Sequence, residues 1–278
     1  MDLKGKTALI PGAARPVGRA IARVLAAEGC RLILPLYDWP DSNQEMLEEL
    51  NSSQVEFLAP EVDLREASQI ENLLTSIQKR FGSLHVLINN IERGGMPVVH
   101  GSYTLPHNQD QWDLEMDTSL RAKWLLFHHS QPLLRSSGGG VVINISSIAG
   151  VTGRSGPAGL LFNDAYAAAN RAVSSFTETW AREGAPTIRV NELRLGLIQS
   201  RHGENTRGWQ VMSPAERQSL LDHTLLGRTG TPEEVAAAVL FLTRDADFMT
   251  GSTIQLDGGF TLGSETIPPM PSGVLGPQ

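Results

Sequence analysis

Thr7-Ala8-Leu9-Ile10-Pro11-Gly12-Ala13-Ala14-Arg15-Pro16-Val17-Gly18-Arg19-Ala20-Ile21-Ala22 is the stretch that decides the fold. Residues 7–10 read as a short buried strand and Gly12 as a turn. The following segment places Val17, Ala20, Ile21, Val24 and Leu25 on one helical stripe, which Gly29 stops. The same alternation recurs along the chain. Residues 31–36 form a second apolar run. Ile70, Leu73, Leu74, Ile77 and Phe81 form a second stripe, again closed by glycine, before the buried run at 84–88. Later strands are expected at 141–145, 188–193 and 252–256. Strands alternating with amphipathic helices predict an α/β fold, a doubly wound parallel sheet in a single domain. Two later helices announce their starts by capping boxes, Ser213-Pro214-Ala215-Glu216 and Thr231-Pro232-Glu233-Glu234. No linker or repeat divides the chain. The domain is assigned to residues 1–262, and residues 263–278 to a proline-rich tail extended over a surface.

Composition narrows the function classes. The chain has 278 residues, a net charge of −7 and a pI near 5.5, which argues against nucleic acid or anionic membrane as the main partner. The single cysteine, Cys30, excludes an intramolecular disulfide and a cysteine-based metal cluster. No apolar run approaches the ~18 residues of a membrane span, and no basic-plus-apolar leader precedes Lys4. The expectation is a cytoplasmic protein with a small-molecule substrate and no metal.

Ordered landmarks over roughly residues 3–262 carry a resemblance to the short-chain dehydrogenase/reductase family. They are the opening strand–turn–helix, Asp63-Leu64, Asn89-Asn90, Val142-Ile143-Asn144-Ile145-Ser146-Ser147, Tyr166, Ile188-Arg189-Val190-Asn191, and Thr250-Gly251 through Asp257-Gly258-Gly259. The resemblance implies a Rossmann-like sheet and a nicotinamide dinucleotide held by Gly12, Arg15, Gly18, Asp63, Leu64 and Asn89. It also implies catalysis at Ser147 and Tyr166, with Asn170 and Ser119 at the other two catalytic positions. Pairing into a homodimer or homotetramer is implied too, through helices containing residues 116–134 and 165–182. There Ala167, Ala168, Ala169, Ala172 and Val173 are read as a small apolar packing surface.

The site departs from the family pattern. Asn170 stands where the family places a lysine that grips ribose and lowers the tyrosine pKa, and Ser119 stands where it places an asparagine. An unaided phenol titrates near ~10, poorly matched to proton transfer at neutral pH. Ser147 and Tyr166 are 19 residues apart, a longer spacing than the pattern, with the extra length in residues 153–163. Pro11 and Pro16 replace a threonine and a glycine of the phosphate turn. Pro16 removes a backbone donor, although a first-turn proline is otherwise tolerated. Leu36 and Tyr37 occupy the positions that usually choose between NAD and NADP, with Asp38 following, so neither cofactor is assigned. Ile91-Glu92 and Arg194-Leu195 replace small or neutral residues along the cofactor track.

These departures point to a repurposed or impaired enzyme that uses Ser147 and Tyr166 on a small carbonyl or hydroxyl compound, with no or weak NAD(P) binding. Arg171, Arg121 or Arg194 would then supply the missing charge. Two alternatives stay open. One is a non-catalytic scaffold; the other is a conventional NAD(P)-dependent oxidoreductase with Asn170 in place of lysine. An open cofactor groove favours the last, and a groove filled by Pro16, Tyr37, Ile91 or Glu92 removes it. Residues 200–212, with His202, Trp209 and Met212, are read as a substrate lid.

Overall fold

A computed structural model describes residues 1–53, 55–92, 106–200, 209–210, 212–271 and 273. Seven strands form one parallel sheet: β1 (Thr7–Leu9), β2 (Arg31–Ile33), β3 (Phe57–Leu58), β4 (Val86–Asn89), β5 (Gly140–Ser147), β6 (Ile188–Leu195) and β7 (Thr253–Leu256), in the order β3-β2-β1-β4-β5-β6-β7. The order reverses between β1 and β4. In doubly wound sheets that reversal opens a crevice at the carboxyl ends of the strands.

Helices cover both faces. Helix α1 (Pro16–Ala27) pairs with a late helix, Pro232–Arg244, over one face, together with α2 (Pro40–Ser52). The other face is covered by α3 (Ala67–Phe81), α5 (Ala122–Ser136) and α7 (Asp164–Gly184). Helix α4 (Pro106–Glu115) runs into α5 through a π-helical turn at Met116–Arg121. Short α6 (Ala149–Thr152) and a 3-10 turn (Pro157–Leu160) follow β5, and α8 (Pro214–His223) and α9 (the Pro232–Arg244 helix) precede β7. Both expected capping boxes are formed, at Ser213/Glu216 and Thr231/Glu234.

Two expectations are corrected. The second strand stops at Ile33 because Pro35 has no N–H to continue the ladder on the β1 side; toward β3 the Leu34 and Leu36 N–H groups still bond Leu58 O at 2.9 Å and Pro60 O at 2.8 Å. Ala169 and Val173 are buried against the sheet and offer nothing to a partner, whereas Ala168 faces solvent. In the expected tail, residues 264–271 are exposed, Ile267 and Met270 included.

His85 ties the opening strand to β4. The Thr7 N–H donates to its Nδ1 at 3.2 Å, and its own N–H donates to Thr7 O at 3.0 Å. Burial, with Lys6 and Arg31 nearby, pushes the imidazole down from 6.5 to about 4. The neutral ring is the accepting form, so between pH 4 and 6.5 the unfolded chain binds more protons than the folded one. Stability therefore falls as pH drops through that window, by about 1–2 kcal/mol after allowance for solvent screening. Thermal melts of wild type and His85→Gln at pH 7 and pH 4.5 check this. The wild type loses more than the variant, which keeps an acceptor but does not titrate.

Candidate active site

The site starts from the turn after β1. Gly12 adopts φ +69°, and a Cβ there would sit 3.1 Å from Asn90 O. A Cβ on Gly18 would lie 2.3 Å from Gly12 O and 2.8 Å from Ala13 Cα, so only glycine lets α1 begin this close to the turn. Asn90 braces the turn by donating its Nδ2 to Pro11 O at 3.3 Å. Pro16 occupies the first position of α1, where the N–H has no helical partner in any residue. The Val17 and Gly18 amides keep their donors at the positive end of the helix dipole and line the crevice.

From this turn a groove of about 430 Å³ runs across the carboxyl ends of the strands. At one end it is lined by Arg15, Tyr37, Asp38, Trp39, Asp63 and Arg65; at the other by Leu114, Thr118, Ser147, Phe162, Tyr166 and Leu197. Pro16, Tyr37, Ile91 and Glu92 form walls of the groove and leave it open. The turn after β2 is rebuilt. Asp38 and Trp39 both take left-handed backbone conformations (φ 53° and 52°), unusual for residues with side chains, and Asn43 Nδ2 holds Asp38 O at 2.7 Å. The Arg15 guanidinium stacks 4.2 Å over the Trp39 ring and donates to Ser42 Oγ at 3.4 Å. Arg65 lies over Tyr37, donates to its hydroxyl at 2.8 Å and grips Asp63 at 2.6 Å. That pairing holds the Asp63 carboxyl below its ordinary range and raises the Arg65 guanidinium further.

At the other end, Ser147 Oγ accepts the Ala149 N–H at 3.1 Å, which fixes the hydroxyl and leaves its proton for another acceptor. Tyr166 is buried at the start of α7, capped by Asn163, whose side chain accepts the Tyr166 N–H at 2.7 Å. The inserted segment at 153–163 ends in Phe162, whose ring packs beside Tyr166 with centroids 5.8 Å apart, so the insertion builds a wall. Ile148, Leu161, Leu197, Met212 and Trp209 extend this apolar surround. His202 of the expected lid lies outside the described residues.

The sequence-predicted residues divide cleanly. Gly12, Arg15, Gly18, Asp63, Leu64, Ser147 and Tyr166 all line the groove. Asn89 sits behind the wall, fully buried, donating to Asn144 Oδ1 at 2.9 Å, while Asn144 donates to Thr177 Oγ1 at 2.9 Å; its neighbour Asn90 is the one on the groove. Ser119 lies in the π turn and donates to Glu115, while Thr118 faces the groove. Asn170 is buried below Tyr166, with Nδ2 on Tyr166 O at 3.0 Å. None of the three candidate arginines serves Tyr166 directly. Arg171 is exposed, Arg121 donates to Arg65 O at 2.8 Å, and Arg194 donates to Ser174 at 2.8 Å and Glu192 at 3.3 Å. Trp39, Arg65 and Phe162 were missed; the adjacency of Arg65 to Asp63-Leu64 was the available signal for one of them. Among the described residues no group of three His, Cys, Asp or Glu side chains is placed to hold a metal, and no helix is long and apolar enough to cross a membrane.

Comparison with known proteins agrees with this geometry. Residues 12–261 match the family model described as enoyl-(acyl carrier protein) reductase, a branch of the short-chain dehydrogenases. The chain belongs to the short-chain dehydrogenase/reductase family. It is 29% identical over 269 residues to the 3-oxoacyl-(acyl-carrier-protein) reductase FabG of Thermotoga maritima, covering 94% of this chain and 100% of that one. It is also 29% identical over 263 residues to an NAD-dependent glycerol dehydrogenase of Listeria innocua, covering 94% of this chain and 96% of that one. A mutant short-chain dehydrogenase/reductase of Serratia marcescens shares the fold with a TM-score of 0.78 at 24% identity, over 94% of this chain and 100% of that one. These relatives are oxidoreductases, and nothing in the comparisons points to an impaired member. They favour the conventional alternative over the repurposed enzyme that the substitutions suggested.

The Asn89–Asn144 link is open to a double-mutant cycle. Asn89→Ala is expected to cost about 1–3 kcal/mol in chemical denaturation by stranding a buried acceptor. Combined with Asn144→Ala it costs less than the sum of the two, because both remove one bond.

Proposed function

We propose that this chain is an NADP(H)-dependent oxidoreductase that interconverts a small, largely apolar ketone and its secondary alcohol. The observation that carries the reading is the open groove running from the Gly12–Gly18 turn to Ser147 and Tyr166. The residues present suit a dinucleotide: two glycines whose missing side chains bring backbone close, a helix N-terminus for the pyrophosphate, and an aromatic platform for the adenosine. Arg15 on Trp39 supports the phosphorylated form. Of the acids at that end, Asp63 is committed to Arg65, and Asp38 lies on the rebuilt, exposed turn. An arginine beside the ribose suits a 2′-phosphate.

Held along the groove from the Gly12–Gly18 turn, a dihydronicotinamide cofactor would supply hydride-donor chemistry to a carbonyl carbon. The chain's own groups manage the oxygen. The Ser147 hydroxyl, held by the Ala149 N–H, donates a hydrogen bond to the substrate oxygen as it gains negative charge. Tyr166 delivers the proton that completes the alcohol, and takes it back in the oxidative direction. Phe162, Leu114 and Leu197 exclude water and favour an apolar substituent on the carbonyl carbon.

Calorimetric titration is the direct test. NADPH is expected to bind tighter than ~100 μM, about 5.5 kcal/mol, and tighter than NADH. Arg15→Ala should weaken NADPH about tenfold or more, roughly the 1.4 kcal/mol of one charged contact, and NADH little. Preference for NADH would overturn the cofactor choice, and no binding of either would overturn the reading. Tyr166→Phe should lower kcat by about 10²–10⁴ while leaving NADPH affinity in place, as expected for loss of the proton donor.

A further inference from the structure

Helix α7 leaves one part of a dinucleotide without its usual partner. Asn170 stands where the family pattern places the lysine that grips the nicotinamide ribose, yet it is 1% exposed and does not line the groove. Its Nδ2 is committed to Tyr166 O at 3.0 Å, and its Oδ1 is buried with no hydrogen-bond partner among the described residues. Helix α6 seals the position: a Cβ on Gly150 would stand 2.8 Å from the Asn170 carbonyl carbon. The ribose has to be held from another side.

The sheet order says which side. A dinucleotide with its pyrophosphate at the Gly12–Gly18 turn and its nicotinamide beside Ser147 and Tyr166 passes from the end of β1 to the end of β5. Strand β4 lies between them, so the crossing covers two strand spacings, roughly 10 Å, over the end of β4. The chain leaves β4 through Asn90, Ile91 and Glu92, and all three line the groove. Asn90 is committed to Pro11 O at 3.3 Å, and Ile91 has no polar side-chain atom. Glu92 brings a carboxylate. It is half-buried, and its charge is felt by Lys123 on α5, whose Nζ donates to Ile145 O at 2.9 Å beneath the groove floor. The carboxylate therefore stands on the inner side of its loop, over the crevice. The other two carboxylates on the groove, Asp38 and Asp63, lie at the Arg15–Trp39 end.

We propose that Glu92 holds the nicotinamide ribose, accepting the two hydroxyls of the diol on its two oxygens. An ionised carboxylate only accepts, and a vicinal diol offers two donors. Acids hold ribose hydroxyls in this way at the adenosine end of dinucleotide sites; here the same chemistry is placed at the nicotinamide end. The inference rests on the proposed function. It gives a use to the glutamate that replaces a small residue after β4. It also accounts for an uncharged, buried Asn170, since the ribose is gripped from β4 and not from α7.

Calorimetric titration with two probes tests this without turnover. One is NADPH; the other is adenosine 2′,5′-bisphosphate, which keeps the adenosine half and lacks the nicotinamide ribose. Glu92→Gln should weaken NADPH about tenfold, the scale of one charge-assisted hydrogen bond, and leave the bisphosphate within about twofold of wild type. Glutamine keeps the size of the side chain, so a residue that only walls the groove would leave NADPH unchanged. Removing a negative charge also favours an anionic ligand in general, so a loss of NADPH affinity runs against the nonspecific effect. Glu92→Asp, which keeps the charge on a shorter arm, should recover part of the loss. The bisphosphate reports an intact groove in each variant, and Glu92→Ala is read with the same pair if Glu92→Gln does not fold. Unchanged NADPH affinity in Glu92→Gln overturns the proposal, and so does an equal loss for both probes. Wild-type protein that binds neither probe overturns the proposed function instead. If NADH is the cofactor that binds, NADH and ADP form the pair, because the ribose at issue is common to both cofactors.

Discussion

The close approach of α1 to the β1 turn is the constraint on which the rest of the groove depends. It exists because Gly18 has no Cβ: one would fall 2.3 Å from Gly12 O. With any side chain at 18 the helix has to back away, and its first-turn amides leave the crevice. The turn itself is held from the other side by Asn90, whose Nδ2 would lie within 2.8 Å of such a Cβ and which bonds Pro11 O. The strand, the turn, the helix end and the loop after β4 therefore form one interlocked body. Pro16 is acceptable inside it because the first helical position gives up no intrahelical bond. A proline that looks disruptive in an alignment is thus neutral in the helix, and the groove stays open.

Below this crevice the sheet is unusually polar for a doubly wound core. Asn89, Asn144 and Thr177 form one chain of hydrogen bonds from β4 through β5 to α7. Ser146, Glu192, Arg194 and Thr253 form a second across β5, β6 and β7. Both lie on the face covered by α5 and α7, toward the carboxyl ends of the strands. Parallel strands normally bury apolar side chains on both faces. Here the polar layer is confined to the end that carries Ser147, while the same strands further back present Val142 and Val190 to an apolar cluster.

Much of the fold was legible because glycine stops and helical stripes are local signals. The strand–helix alternation, both capping boxes and the sheet class need no tertiary information. Pro35 shows where such reading fails: the apolar run continues to Leu36, but the ladder skips the residue without an N–H. The site was legible where a motif fixes both residue and direction, as at Gly12, Gly18, Ser147 and Tyr166. It named Asn89 where Asn90 lies on the groove, because neighbours in a strand point to opposite sides and composition cannot say which side faces the crevice. Trp39 was hidden by a left-handed turn that no propensity predicts.

Departures from a family pattern mean different things singly and as a buried set. Taken one at a time, Asn170 subtracts a charge and Arg194 adds one, and each looks like damage. Taken as a buried set they are interdependent: Arg194 and Ser146 satisfy Glu192, and Glu192, Glu115 and Glu92 make a fully buried Lys123 tolerable. A chain relieved of chemistry has little physical reason to hold such a set, because replacing buried ion pairs by packed apolar residues is often neutral or stabilising by about 1–4 kcal/mol. Only the whole set is costly to break, since removing one partner leaves a buried charge uncompensated. The set sits at the strand ends that carry Ser147, where Ser146 lies beside Arg194 in the β5–β6 register.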